Sequence, residues 1–174
     1  MELNLDRIQL PEPGLPPAYQ LVSWSQRLVK DHARAKYDSF RYELDSNIFP
    51  CLGRADGCLR LMRDIADRPN FIPEATWLVV FQQGAALPVP VATVQGLELD
   101  RWGSIQNLGV APEHRGLGLG TVLLARAAAG FFQVGLTQMH LEVTTDNTAA
   151  VRLYQRLGFR LARTVYKVAE IEAN

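Results

Sequence analysis

The apolar positions of this chain change period several times, and each change marks an element. Residues 76–81 are an apolar run, 82–87 a Gly-containing turn and 89–97 a second run, so the pair reads as a hairpin. Pro90 argues against a central ladder position at the start of that second strand. Residues 100–103 turn the chain into a third strand, with Ile105, Leu108 and Val110 as its apolar positions. A regular strand repeats every two residues, so the odd step from 105 to 108 predicts a β-bulge near Gln106 and Asn107. A helix follows over about 118–133; its alanines at 125, 127, 128 and 129 favour helix and permit close packing. Met139, Leu141 and Val143 then alternate with His140, Glu142 and Thr144, as a half-buried strand does. The next helix starts at Asp146 or Asn147 and gathers Ala150, Val151, Leu153, Tyr154 and Leu157 on one arc. Asn147 falls on that same side, so two polar tips point inward and need partners.

The flanks are plainer. Residues 1–17 hold Pro11, Pro13, Gly14, Pro16 and Pro17 and read as an irregular arm. A short strand is expected over 19–24, then a helix over 26–42 capped by Ser25, with Leu28, Ala33, Tyr37 and Phe40 as its apolar face. A second helix runs from about 57 to 67 and is ended by Pro69 and Pro73. After Gly158 and Phe159 no turn-forming residue appears before Ile171, which predicts one continuous strand over about 159–169. That would leave a sheet edge for either the N-terminal arm or a second subunit to cover. The prolines make the arm a poor strand, which tips the balance toward a homodimer.

Composition narrows the class. The 174 residues suffice for one domain over 1–174 with a substantial core. Lys+Arg and Asp+Glu both number 18, so no global charge recommends nucleic acid or an anionic membrane. The chain holds two cysteines, no long apolar span and a polar, acidic start, which together suggest a soluble cytoplasmic protein.

The candidate chemistry lies between strand and helix. Pro112 stops the ladder, and Gly116, Gly118 and Gly120 let a ligand approach successive amides that can point into one hollow. The helix N-terminus adds its dipole and Arg115 a full charge, a combination suited to phosphate. A dinucleotide fingerprint would need Gly where Thr121 stands, and a P-loop would need Lys-Ser/Thr after the last glycine.

What remains is Arg115-x-x-Gly118-x-Gly120, preceded by Leu108-x-Val110-x-Pro112. It is followed by Leu141-x-Val143 and by Asn147-x-x-Ala150-x-x-x-Tyr154-x-x-x-Gly158-Phe159. Over about 104–160 this resembles the GNAT superfamily of acetyl-coenzyme A-dependent N-acyltransferases. The resemblance implies an α/β fold (α+β in some schemes): a mixed, mostly antiparallel central sheet flanked by helices, with a bulged central strand. The final strand here is short or missing. It also implies a pantetheine arm adding along the main chain of Leu108 and Val110. The pyrophosphate would rest on amides from Arg115 through Gly116, Leu117, Gly118, Leu119 and Gly120 to Thr121. Asn147, Ala150 and Tyr154 would line the cofactor, with Tyr154 protonating the departing thiolate and a backbone N–H near Val110 facing the oxyanion.

Some family members carry a glutamate base on the bulged strand, where this chain has Gln106 and Asn107. Glu142 is the first substitute, then His140, Glu98, Asp100 or water. Glu43, Asp45, Tyr37, Phe40 and Tyr42 are candidates to greet an amine. The implied function is transfer of an acetyl group from acetyl-CoA to a primary amine, small molecule or peptide, without a metal. The alternative is a non-catalytic acyl-CoA sensor or structural module.

Overall fold

Runs of period two and helical stripes sort into one sheet with helices on each face. The computed structural model describes residues 1–43 and 49–165. Its strands are β1 (Glu2–Asn4), β2 (Tyr19–Ser23), β3 (Phe71–Phe81), β4 (Val89–Leu99), β5 (Trp102–Val110) and β6 (Gln138–Leu141). They lie in the order β1-β6-β5-β4-β3-β2. The β5–β6 pair is parallel and the other strand pairs are antiparallel. The helices are α1 (Val29–Phe40), α2 (Ala55–Ala66), α3 (Leu119–Gln133) and α4 (Thr148–Arg156). None is long and apolar enough to cross a membrane.

Each face has its own core. On one side Leu119, Leu123, Leu124 and Phe131 of α3 meet Val79, Val94, Ile105 and Met139, with Tyr154 of α4 in the same cluster. On the other, Val29, Ala33 and Phe40 of α1 meet Met62 and Ile65 of α2 and Leu97 of the sheet. Helix α3 packs so closely on β3 that a Cβ at Gly130 would lie 2.0 Å from the Glu74 carbonyl oxygen.

The bulge is where the odd step predicts it. Gln95 pairs with Gln106 and Thr93 with Gly109, so Val94 alone faces Asn107 and Leu108. Asn107 adopts φ 49°, in the left-handed region. Ile105 and Leu108 therefore both reach the α3-side core.

Several expectations need correction. Pro73 lies inside β3, not after a helix, where the ladder breaks register between Ile72 and Trp77. The Thr76 hydroxyl repairs that break, donating to the Ile72 carbonyl at 3.0 Å and accepting from the Gly96 amide at 3.2 Å. Pro90, by contrast, stands as expected outside a central ladder position: it pairs with Val80 of β3, and the β4–β5 register ends at Ala92 and Val110. Ser25 makes no side-chain cap; a 3-10 turn, Gln26–Leu28, leads into α1 instead. β6 stops at Leu141, short of Val143.

The arm and the chain end are the larger corrections. Glu2 to Asn4 form a strand on the free edge of β6, pairing with His140, Met139 and Gln138. These residues precede every proline of the arm, so its irregular part begins only after them. The continuous strand over 159–169 is not formed across 161–165; residues 166–169 lie outside those described. Arg160 instead exchanges both main-chain hydrogen bonds with Glu2, at 2.8 and 2.9 Å. At the other end of β1 the Asn4 side chain accepts from the Asp6 and Arg7 amides, where the chain leaves the ladder. With β6 covered from within, the edge argument for a second subunit lapses.

Candidate active site

The site begins where two parallel strands part. β6 stays paired with β5 as far as Leu141 and Ile105, while β5 runs on to Val110. Past the bulge, the main chain at Leu108 and Val110 borders a gap that β6 leaves. A 3-10 turn, Pro112–His114, then delivers the glycine loop. Gly116 (φ 76°) and Gly118 (φ 79°) occupy the left-handed region that residues with a Cβ avoid. Gly118 caps α3, whose first-turn amides and dipole face the loop, and no acidic residue sits in that turn. Pro13 of the arm rests beside it: a Cβ at Gly118 would meet the Pro13 ring at 3.5 Å. A strand edge, a left-handed glycine loop and a helix N-terminus fit an amide-bearing chain followed by phosphates.

Arg115 departs from its expected role. Its Nε donates to the Val110 carbonyl at 3.0 Å and its Nη2 to the Ser39 carbonyl at 3.1 Å. Nη1 pairs with Glu43 at 2.8 Å. The guanidinium thus straps the cofactor loop to the end of α1 rather than reaching into the glycine hollow, and Glu43 is committed to it.

Asn147 caps α4, its Oδ1 accepting from the Ala150 amide at 3.1 Å, which is the structural role its position allowed. Tyr154 is buried in the α3-side core, its ring 5.7 Å from that of Phe159. Glu142 is exposed and follows directly on Leu141, where β5 and β6 separate. His140 lies opposite Ser104, 6.2 Å ring to ring from Trp102. Burial and then the nearby chain amino group lower its pKa, which disfavours the charged imidazolium. Glu98 lies opposite Gly103, roughly 16 Å along the strand from Leu108, too far to serve as base there, and Asp100 lies beyond it.

On the α1 side, Phe40 is buried in the core. Tyr37 and Tyr42 flank the Arg41 guanidinium at 5.4 and 4.8 Å. Asp45 lies outside the described residues.

Reasoning from the sequence missed a buried polar group under the bulge. Lys36 and His32 are both fully buried on α1. Lys36 Nζ donates to Asn107 Oδ1 at 3.0 Å. His32 Nδ1 lies 2.8 Å from Thr93 Oγ1, which also accepts from Gln95 Nε2 at 2.6 Å. Burial pushes Lys36 down to about 7 and His32 to about 3, the latter helped by the Lys36 charge. The spacing of His32, Lys36 and Ser39 beside Val29, Ala33 and Phe40 was the available signal: polar residues on the apolar face of a helix.

The model of the acetyltransferase (GNAT) family matches residues 37–159, well over half the chain. The chain belongs to the GNAT family of acetyltransferases. Among curated relatives of this GNAT chain, a mycothiol acetyltransferase of Thermobispora bispora is 36% identical over 95 residues. That match covers 55% of this chain but 28% of the relative, so the chain spans well under half of that protein's length. A solved GCN5-related N-acetyltransferase from Sphaerobacter thermophilus aligns over 90% of this chain and 45% of its own, with a TM-score of 0.64 and 24% identity. Another from Ralstonia eutropha JMP134 aligns over 86% of this chain and 97% of its own, at TM-score 0.58 and 20% identity. At those identities the two structures establish the GNAT fold, with its mixed sheet and flanking helices.

Proposed function

We propose that this chain is an acyltransferase that moves an acetyl group from acetyl-CoA to a primary amine by direct attack on the thioester. The observation that carries the reading is the continuous run from the bulged β5 edge into the left-handed glycine loop and the start of α3. The family's acetyltransferase character and the acetyltransferase relative support it. When bound, acetyl-CoA supplies an electrophilic thioester carbonyl and a thiolate leaving group. The main chain at Leu108 and Val110 would align the pantetheine arm, and an N–H near Val110 would face developing negative charge. The amides from Gly116 to Thr121 would hold the pyrophosphate, with Ala150 and the Asn147 cap beside the arm. Tyr154 would hold the proton destined for sulfur, and Glu142 at the mouth of the gap would take the proton from the amine.

The test is thioester cleavage with a panel of primary amines by wild type, Tyr154→Phe and Glu142→Gln. Tyr154→Phe keeps a buried ring and deletes one hydroxyl, so turnover should fall about 10²–10⁴-fold with acetyl-CoA affinity kept within a few-fold. Glu142→Gln should shift the limb of the pH–rate profile that reports the base. Full activity in Tyr154→Phe would return that tyrosine to a packing role. Tight acetyl-CoA binding with no cleavage for any amine would make the chain an acyl-CoA-binding module.

A further inference from the structure

Lys36 has no place in the chemistry above, yet its surroundings are unusual. An isolated buried amine carries a large desolvation cost, and among the described residues no carboxylate pairs with it. A methionine would fill similar space without a polar group, so packing alone does not call for lysine. Its hydrogen bond goes to Asn107, the residue at φ 49° whose unusual backbone makes the bulge. One turn back on α1, His32 reaches Thr93 and through it Gln95. Thr93 and Gln95 flank Val94, the residue opposite the bulge. Helix α1 therefore braces both strands at the point where β5 changes register: Lys36 on the β5 side and His32 on the β4 side.

We propose that Lys36 is a positioning residue of the acyl-transfer site: through the Asn107 carboxamide it pins the left-handed residue of the bulge, and so sets where the Leu108 and Val110 edge lies for the acyl donor. This rests on the acetyl-CoA reading of the site. The groups that face Lys36 are His32 on its own helix, Cys51 and Cys58 from the segment behind it, and Asn107. His32 is held neutral by burial, and burial pushes the Cys58 thiol up to about 11. Lys36, brought down to about 7, gains a charge as the solution is acidified through neutrality. The ammonium is a stronger donor to the Asn107 carboxamide oxygen than the neutral amine, so its hold on the bulge tightens toward acid.

Calorimetric titration of acetyl-CoA into the full chain, between about pH 6 and 9, tests this; wild type is compared with Lys36→Met, Asn107→Gly and Cys51→Ser, each checked for folding by circular dichroism. Wild-type affinity should strengthen several-fold from the alkaline to the acid end. Lys36→Met should bind about tenfold more weakly at the acid end, the effect of one lost hydrogen bond, and lose the pH dependence that separates wild type from it. Asn107→Gly keeps the left-handed backbone without the carboxamide and should lose affinity by a similar factor, while Cys51→Ser should keep the wild-type profile. Folded Lys36→Met with wild-type affinity and profile overturns the proposal. If that variant does not fold, wild-type affinity in Asn107→Gly overturns it alone. A wild type that does not bind acetyl-CoA fails at the earlier step, and the wild-type titration by itself tells that result apart.

Discussion

At Gly118 and Gly130 the same substitution meets two different physical situations. Gly118 sits at φ 79° with only the Pro13 ring near a new Cβ, at 3.5 Å. Alanine there must bear the left-handed backbone, at about 1–2 kcal/mol, or turn the loop amides away from a phosphate. Gly130 lies within α3 and its new Cβ would fall 2.0 Å from a main-chain oxygen of β3. Helix and strand would have to separate, an overpacking cost of about 1–3 kcal/mol or more. Denaturant titration and acetyl-CoA calorimetry should therefore split the pair. Gly118→Ala should lose modest stability and much affinity, Gly130→Ala much stability and little affinity per folded molecule. Unchanged affinity in Gly118→Ala would remove the glycine loop from the phosphate site.

At the scale of elements, the N-terminal strand invites a direct measurement. Leu3 is 2% exposed and belongs to the α3-side core, although it stands at the head of a proline-rich arm. Leu3→Ala should cost about 2–5 kcal/mol in a urea titration, as a core leucine does; a loss below about 0.5 kcal/mol would mean β1 is only laid on the surface. That strand was not legible in the sequence, because three residues give no period and the prolines after them dominate the segment. The elements between 76 and 157 were legible because their apolar repeats are long enough to fix period and face. The bulge was legible for the same reason: one odd step, between Ile105 and Leu108, breaks an otherwise regular alternation. The segment after Phe159 has strand-forming residues, but a strand also needs a neighbour, and β1 offers Arg160 only Glu2. Within the site, glycine order marked the loop. It could not show Arg115 turned toward Ser39 and Glu43, since side-chain direction depends on where α1 ends.

For the whole molecule, the two buried bases on α1 shape how stability follows pH. Lys36 has an ordinary pKa of 10.5 and about 7 in the fold. Between those values the unfolded chain holds the extra proton, so stability rises as pH climbs from about 7 toward 10.5. His32 moves from 6.5 to about 3, so it removes stability as pH falls through that lower window. Lys36→Met should accordingly be more stable than wild type near neutrality, by on the order of a few kcal/mol, with the gap closing toward alkaline pH. A gap that is constant with pH in paired denaturant titrations would show that Lys36 keeps its ordinary basicity. The pairing of β1 with β6 has a temporal consequence as well. The contact of Met1 with Leu141 spans 140 residues. At about 5–20 residues per second, β1 waits roughly 7–28 seconds on a translating ribosome before its partner has been made. Contacts of such long range also slow folding in the test tube, because the intervening chain must be ordered before they form. The sheet is thus sealed by a strand made 140 residues before the neighbour it pairs with.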